Sequence, residues 1–459
     1  MEARKLAEPD LGTLESEPTR RAPERSAPLR IAFVGQPRDL IEASGPQRGS
    51  VASITWELAS RLAERHKVTI YAPLAPGQKA EERGTDNVLI RRIPHVLRRL
   101  HRAIDVVTAL IGAHPPYFAS NAFFREYAAA IAAQLKRDPP DIVHIQVCSQ
   151  FIPVIRYAVP RARIVFHAHD ELLTRLDPAL MARRLAMSDA LVTCSEYVTN
   201  RWRERFSSAS ARIHTLGNGV DLQRFHPHDP GVVSVADAHV LYVGRVSPEK
   251  GVHVLARAFE RVLEEIPEAH LSVIGSAGLL PSNQLALLDD DPHIARLTEF
   301  YGRGVFGRMR KQLFGAHNGY IDAICASVAP ATRAHIHFHG PLEYLDLPAL
   351  YRSASLLVAP SLYAEPFGLP LAEAMASGLP VIASRSGGMT AIVEHGRTGC
   401  LVERGDAAGL AHVTISLLRD PERLAGMRRA SRLSAEARFG WDRAAYRLEN
   451  IYTTLSGAP

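Results

Sequence analysis

The chain has 459 residues, which is too long for one hydrophobic core and favours two domains. Hydrophobic residues make up 46 % and charged residues 22 %, as in folded globular proteins, and no apolar run reaches the roughly eighteen residues of a membrane span. With 54 basic and 48 acidic residues the net charge is +6, which permits anionic partners such as nucleotides but excludes the basic excess of a dedicated nucleic-acid binder.

The N-terminus and the cysteines bear on location. Residues 1–28 are charged and rich in proline and contain no apolar core of a secretory signal, so we expect a disordered leader there. The four cysteines, Cys148, Cys194, Cys325 and Cys400, show no paired spacing. They therefore predict neither a disulfide framework nor a zinc site, and they fit a reducing cytoplasm.

From residue 29 onward, short apolar runs alternate with longer amphipathic segments, such as the helical stripe of 51–65. The strands predicted in the first half are 30–35, 67–72, 87–92, 141–145, 162–167, 189–193 and 211–215. Those predicted in the second half are 239–246, 270–274, 335–338, 355–359, 380–383 and 399–402. Because this alternation is typical of βα units, we expect an α/β protein with two Rossmann-like, doubly wound domains facing a central cleft.

Breaks in this pattern set the predicted domain boundaries. We place the first domain at 29–225 and the second at 238–436, because two prolines and a glycine interrupt regular structure between them. The linker is then 226–237. Within the second domain, two strands are separated by about 60 residues, where a βαβ connection needs only about a dozen. We therefore expect 276–334 to be an insertion with helices of its own.

The segment RVSPEKG follows the first strand of the second domain. Ser247 is a good N-cap and Pro248 fits the first helical position, so a helix is expected to begin here. Arg245 and Lys250 would then flank a helix N-terminus, whose free amides and dipole attract a phosphate or diphosphate. The alternative is a solvated lysine beside an arginine that pairs locally with Glu249.

Two acids lie eight positions apart after the apolar strand LLVAP, Glu365 in a turn and Glu373 in the following helix. Pro366 and Gly368 shape a tight turn that lets backbone amides approach a ligand closely. Glu365 would face the bound group, and Glu373 would accept hydrogen bonds from a diol such as a ribose. Alternatively, an acid in the first turns of a helix only complements the helix dipole.

Taken together, these motifs resemble those of the retaining glycosyltransferases of the GT-B fold, in particular family 4, the glycosyl transferases group 1. EPFGLPLAEA is similar to the E-x7-E motif of that family, although Pro366 stands where a glycine is usual, and YVGRVSPEKG is similar to its phosphate loop. Three further segments resemble the family: LGNGVDLQRFHP (216–227), SRSGGMTAIVEHGRTGCLVERGD (384–406) and FGWDRAAYRLENIY (439–452). The resemblance covers nearly everything from residue 29 onward except the insertion.

The resemblance implies roles for single residues in the second domain. Arg245 and Lys250 would bind the diphosphate of a nucleotide-sugar donor, Glu373 its ribose and Glu365 its sugar. Five further positions would contact or lie near the donor: Phe367, Gly368, Leu369, Gly387 and Gly388.

The resemblance also implies that the first domain supplies the acceptor side. Gly49 and Ser50 stand where the family has a Gly-Gly loop near the donor phosphates. His169 and Asp170 follow a strand, as does a similar pair near the reacting sugar in the family, although a lone histidine is more often structural. A C-terminal helix over 437–459 would return to the first domain.

The implied activity is that of a hexosyltransferase-type glycosyltransferase of the EC 2.4 class, which moves a sugar with retention from a nucleotide-diphosphate sugar to an acceptor. Front-face attack is expected, with the departing phosphate taking the proton of the acceptor and Glu365 orienting the sugar. We expect no metal and no cofactor, since no Asp-x-Asp motif is placed to hold a metal ion. The same architecture also serves phosphorylases, epimerases and non-catalytic nucleotide-sugar-binding proteins.

A basic segment, 91–112, raises the question of membrane contact. It places arginines beside an apolar run and would allow peripheral docking on anionic lipid at the inner face of the membrane. An ordinary solvated helix face is the alternative. The arginines concerned are Arg91, Arg92, Arg98, Arg99 and Arg102.

Overall fold

The computed structural model describes residues 27–94, 115–227, 238–288, 290–301 and 319–457, together with 100, 101, 103, 104, 107 and 108. The predicted leader and linker lie almost entirely outside these residues, as do Arg98, Arg99 and Arg102 of the basic segment. In the part of the chain described, no helix is long and apolar enough to cross a membrane.

The first sheet has eight strands in the order β3-β4-β2-β1-β5-β6-β7-β8. All neighbours pair in parallel except β3 and β4, which are antiparallel. The strands are β1 (Arg30–Val34), β2 (Lys67–Pro73), β3 (Glu81–Arg83), β4 (Leu89–Ile93), β5 (Ile142–Gln146), β6 (Arg163–Ala168), β7 (Ala190–Thr193) and β8 (Ile213–Thr215). The sequence did not predict β3, because its three residues, EER, carry no apolar side chain.

The second sheet has six parallel strands in the order β11-β10-β9-β12-β13-β14. They are β9 (His239–Val243), β10 (His270–Ile274), β11 (Ile336–Gly340), β12 (Leu356–Ala359), β13 (Val381–Ser384) and β14 (Gly399–Val402). Every strand predicted from the sequence is present, with ends that differ by up to three residues. One parallel sheet and one that is parallel except at its β3 edge confirm the predicted α/β architecture.

Helices cover both faces of each sheet. In the first half they are α1 (Ser50–Ala63), α2 (Arg125–Arg137), α3 (Phe151–Ala158), α4 (Pro178–Ala186) and α5 (Glu196–Arg205). The predicted stripe of α1 is buried, since Ile54, Leu58 and Leu62 are at most 2 % exposed, and it packs on one face of the first sheet. Helices α2 and α3 pack on the other face.

In the second half, α6 (Val252–Glu265) is followed by the helices of the predicted insertion. These are α7 (Ser282–Ala286), α8 (Pro292–Ala295), α9 (Thr298–Tyr301), α10 (Gly319–Ala326) and α11 (Pro330–Ala334). The chain continues with α12 (Leu347–Ser353), α13 (Leu369–Ala376), α14 (Met389–Ile392), α15 (Ala407–Leu418), α16 (Pro421–Arg438) and α17 (Trp441–Ser456).

The last helix, α17, returns to the first sheet. It packs against α1 and buries Leu448 and Tyr452 in the same core. At the return point, Val220 N donates a hydrogen bond of 2.6 Å to Phe439 O. The two segments that connect the two halves of the molecule therefore run side by side.

The described part of the basic segment does not form an exposed cationic face. Arg91 and Arg92 lie in β4. Arg92 is 3 % exposed and bonds to Glu82 at 2.9 Å, while Arg91 bonds to Glu81 at 2.9 Å. Because both guanidinium groups are paired within the protein, these two residues do not supply free charge for lipid binding.

Candidate active site

The predicted phosphate loop follows β9, but it differs in detail from the prediction. Pro248–Lys250 form one turn of 3₁₀ helix, Gly251 takes φ 74°, and α6 begins only at Val252. Ser247 does not cap with its side chain; its hydroxyl instead donates to Glu249 Oε1 at 2.6 Å. The left-handed Gly251 separates the short turn from α6, which explains the later start of the helix.

Gly251 also allows this loop to pack against the segment before the acid turn. A Cβ at this position would lie 2.0 Å from Pro360 O, so only glycine fits. Directly beside it, the amides of Leu362 and Tyr363 donate to Glu249 O at 2.9 and 3.0 Å. The backbone of the phosphate loop is thus fixed to the chain that leads to Glu365.

The phosphate loop and the acid turn are in direct contact through their side chains. Lys250 Nζ lies 2.5 Å from Glu365 Oε1, and the Ser361 hydroxyl donates to the same oxygen at 2.7 Å. The side chains of Lys250 and Glu365 are 24 % and 12 % exposed, so both are partly shielded from water. Parallel strands β9 and β12 are neighbours, and both motifs follow their carboxyl ends.

Arg245 pairs with Glu249, as the alternative sequence interpretation had it. Arg245 Nη2 lies 2.6 Å from Glu249 Oε1, and Glu249 is 1 % exposed. The other oxygen of Glu249 accepts a hydrogen bond from the hydroxyl of Tyr301, at the end of α9 in the insertion. Burial alone would raise the pKa of Glu249, but Arg245 and the hydrogen bonds from Ser247 and Tyr301 hold that pKa below its usual range.

The acid turn is packed on a second pair of glycines. A Cβ on Gly387 would lie 2.3 Å from Glu365 O, and one on Gly388 would lie 2.3 Å from Pro366 O. Gly388 N donates to Glu365 O at 2.6 Å. Gly368 takes φ 110° and precedes α13, which begins at Leu369. The structure therefore brings both glycines predicted near this pocket against the turn itself.

Glu373 lies on α13 and is buried. Among the residues that the structure describes, its carboxylate bonds only to the Tyr351 hydroxyl, at 2.8 Å. Burial raises the pKa of Glu373 to about 7, although the hydrogen bond from Tyr351 opposes that rise. A carboxylate can accept several hydrogen bonds, so Glu373 can accept further donors besides Tyr351.

The first half of the molecule contributes a cluster of neutral histidines. His169 follows β6, and its Nε2 lies 2.6 Å from Gln146 Oε1, so Nε2 carries the proton. Burial lowers the pKa of His169 to about 3. His169 Nδ1 is then a buried acceptor without a partner in the described part of the chain. His169 stacks on His167 with ring centroids 4.0 Å apart.

His169 lies beside the acid turn. The Cys194 thiol contacts His169 O at 3.4 Å, and the next residue, Ser195, donates from its hydroxyl to Pro366 O at 2.5 Å. Sequence reasoning missed Gln146 and Ser195. Gln146 ends β5 and Ser195 follows β7, the two strands on either side of β6. The alignment of the carboxyl ends of neighbouring parallel strands was therefore the available signal.

Gly49 is placed differently from the other predicted site residues. It takes φ 100° before α1, and a Cβ there would face open space. Within the described residues, no hydrogen bond joins it to Lys250 or Glu365. Its neighbour Arg48 lies 4.0 Å from Glu343 of the second half, and the side chains of Arg48 and Glu343 are both exposed. A donor-phosphate role for Gly49 stays a prediction.

Comparison with known proteins agrees with this architecture. Residues 51–224 match the family described as Glycosyltransferase Family 4, and residues 329–434 match the family described as Glycosyl transferases group 1. The chain is 30 % identical over 326 residues to a glycogen synthase of Mycobacterium tuberculosis H37Rv, covering 68 % of each protein. It is 27 % identical over 342 residues to spore coat protein SA of Bacillus subtilis 168, covering 71 % of this chain and 81 % of that protein.

Solved structures show the same fold. Sucrose-phosphate synthase from Thermosynechococcus elongatus is 20 % identical with a TM-score of 0.66, covering 94 % of this chain and 99 % of that one. Anabaena HepE in complex with UDP and glucose is 16 % identical with a TM-score of 0.60, covering 92 % and 98 %.

The fold and the two family matches thus define a GT-B glycosyltransferase. More particularly, the chain belongs to the glycosyl transferases group 1, family 4, and is a hexosyltransferase of the EC 2.4 class. Residues 225–328, which include most of the insertion, lie between the two family matches.

Proposed function

We propose that the enzyme transfers a hexose with retention of configuration from a nucleotide-diphosphate sugar to a hydroxyl acceptor, without a metal ion or another cofactor. The observation that carries the proposal is the 2.5 Å contact between Lys250 Nζ and Glu365 Oε1. It joins a cation suited to a diphosphate with an acid suited to a sugar ring. One donor molecule can therefore touch both.

The proposal assigns the donor to the second half of the molecule. Lys250 and Arg245 bind the diphosphate, and Arg245 turns from Glu249 towards the phosphate oxygens when the donor arrives. Glu373 accepts hydrogen bonds from the ribose hydroxyls. Glu365 binds the sugar together with the amides of Phe367, Gly368 and Leu369, and Gly387 and Gly388 keep the turn close to it.

Transfer passes through an oxocarbenium-like state as the anomeric C–O bond breaks and negative charge grows on the diphosphate. Lys250 and Arg245 stabilise that charge where it develops, which is typically the largest catalytic contribution. The departing phosphate takes the proton of the acceptor hydroxyl. Glu365 orients the sugar, and His169 Nδ1, an acceptor without a partner in the described structure, receives a hydrogen bond from a sugar hydroxyl.

A thermal-shift panel of UDP-, GDP- and ADP-sugars tests the donor assignment. We expect one donor to raise the melting temperature and Arg245→Ala to remove most of that rise, since a charge-assisted contact to phosphate is lost. Arg419→Ala is the matched control, because Arg419 forms an exposed pair with Glu265 at 2.6 Å on the outer surface. An unchanged shift in Arg245→Ala would contradict the phosphate assignment.

The reaction itself is tested by product analysis. NMR of the product should show the same anomeric configuration as the donor. If the donor is consumed only when inorganic phosphate is present, the enzyme is a phosphorylase. If the protein binds the donor but forms no product, it is a binding protein. The four cysteines are free thiols, which fits a reducing compartment such as the cytoplasm.

A further inference from the structure

A cavity lies between the two halves of the molecule, where helices of the insertion face the 3₁₀ helix Leu172–Arg175 and α5. Its volume is about 510 Å³, within the usual range of small-molecule sites. One wall comes from the 3₁₀ helix Leu172–Arg175 and from α5, and the opposite wall comes from α7 and Asp290. Since α7 belongs to the insertion, this wall lies outside both family matches.

The polar groups of the cavity are balanced in charge. It is lined by Arg175, Arg201, Arg205, Glu204 and Asp290, and the buried carboxylate of Glu171 lies behind the arginines. Three guanidinium groups thus face three carboxylates. Apart from Arg205, these charges are already paired with one another, so a highly charged anion that used Arg175 or Arg201 would have to displace existing ion pairs.

Guanidinium groups and carboxylates alternate around the cavity and are linked by ion pairs and hydrogen bonds. Glu171 accepts from Arg201 Nε at 2.9 Å and from Arg175 Nη2 at 3.3 Å. Arg201 also bonds to Glu204 at 3.1 Å, and Arg175 bridges the cavity to Asp290. The guanidinium of Arg205 makes no ion pair or hydrogen bond with any residue that the structure describes. The cavity therefore offers interleaved donors and acceptors, with one donor group free.

The cavity adjoins the candidate active site. Glu171 follows His169 and Asp170 directly in the chain, and its carboxylate also accepts from the Tyr197 hydroxyl at 2.7 Å. Tyr363 packs against the apolar cluster that contains Leu172, and Lys250 Nζ lies 5.9 Å from the centre of its ring. Tyr363 therefore connects the Lys250–Glu365 pair with the 3₁₀ helix that forms one wall of the cavity.

We propose that this cavity binds the acceptor through an uncharged, polyhydroxylated group, such as a saccharide or a cyclic polyol. The inference rests on the proposed glycosyl transfer. Each sugar hydroxyl both donates and accepts, which matches the alternating guanidinium and carboxylate groups. None of the described residues lining the cavity is aromatic, and six of its eight lining residues are polar or charged, which disfavours a lipid chain.

The test compares uncharged and phosphorylated acceptors with the donor that stabilises the enzyme. The probes are glucose, maltose and myo-inositol, each beside a phosphorylated counterpart. We expect product from an uncharged probe, and an acceptor KM about tenfold higher in Arg205→Ala and in Asp290→Ala. Donor KM and donor hydrolysis in water should stay unchanged. Arg183→Ala, an exposed arginine outside the cavity, is the matched control.

Three results would overturn the inference. They are transfer to phosphorylated probes alone, an acceptor KM that both cavity variants leave unchanged, and no transfer to any probe by an enzyme that still hydrolyses its donor. If the enzyme neither binds nor hydrolyses any donor, the proposed function fails instead. Donor hydrolysis in the same preparation therefore separates the two failures.

Discussion

Glu373 is an acid of the proposed donor site whose burial raises its pKa. Its carboxyl is buried and accepts a hydrogen bond from the Tyr351 hydroxyl, and burial raises its pKa to about 7. Between its unfolded pKa near 4.5 and its folded value, the native state binds more protons than the unfolded state. The free energy of unfolding therefore decreases as pH rises through this window and levels off above it.

We expect Glu373→Gln to remove this decrease, which amounts to roughly 1–3 kcal/mol. The measurement is urea unfolding of both proteins from pH 4.5 to 8. Asp170, whose pKa burial raises to about 6, adds a slope of the same sign, so the difference between the two proteins is the readout. In Tyr351→Phe the lost hydrogen bond should extend the decrease to higher pH. Parallel pH profiles for wild type and Glu373→Gln would refute the assignment.

Single residues also show how far the sequence could lead. The meeting of Lys250 and Glu365 was predictable, since both follow the carboxyl ends of apolar runs that read as parallel strands. For Arg245 the sequence left two states open, a contact to phosphate or a local pair with Glu249, and it did not decide between them. The Tyr301 hydroxyl also bonds to Glu249, and it lies 52 positions further along the chain. No local pattern encodes such a long-range partner.

At the scale of elements, Gly251 separates the 3₁₀ turn from α6 and lets the phosphate loop pack against the segment before the acid turn. Gly251 combines φ 74° with a site where a Cβ would meet Pro360 O at 2.0 Å. We expect Gly251→Ala to lower the free energy of unfolding by more than about 2 kcal/mol, because strain and a backbone clash add together. Donor-induced stabilisation should fall as well, since Lys250 and Glu365 separate.

Gly426 provides the matched control for that substitution. It lies inside α16, and a Cβ there would have no neighbour within 4 Å. Gly426→Ala should therefore stabilise the protein by roughly 0.5–1 kcal/mol through helix propensity. Chemical denaturation of both variants gives the comparison. Equal effects at the two positions would show that the close approach at Gly251 carries no cost.

The insertion shows where sequence reasoning stopped. Its length and the presence of helices were predictable from a connection that is too long for a βαβ unit. Its place in the molecule was not, because the cluster that joins Leu172, Leu285, Tyr301 and Leu362 draws on three distant parts of the chain. Periodicity identifies the apolar face of a helix, but it does not identify what that face packs against.

At the scale of the whole molecule, the C-terminal helix is part of the core of the first half. Leu448 is fully buried between α17 and the first sheet. We expect Leu448→Ala to cost about 2–5 kcal/mol of unfolding free energy. Leu433, which is 61 % exposed on α16, is the control, and its alanine variant should change stability by less than about 0.5 kcal/mol. Denaturant titration followed by circular dichroism measures both, and similar midpoints would contradict the observed packing.

The hydrogen bond between Val220 and Phe439 has a mechanical consequence. Because the two connecting segments run side by side and are bonded here, a rotation of one half against the other would pivot near this bond. Displacement in a rotation grows with distance from its pivot. Groups that face each other across the two halves should therefore change their separation more, the farther they lie from Val220.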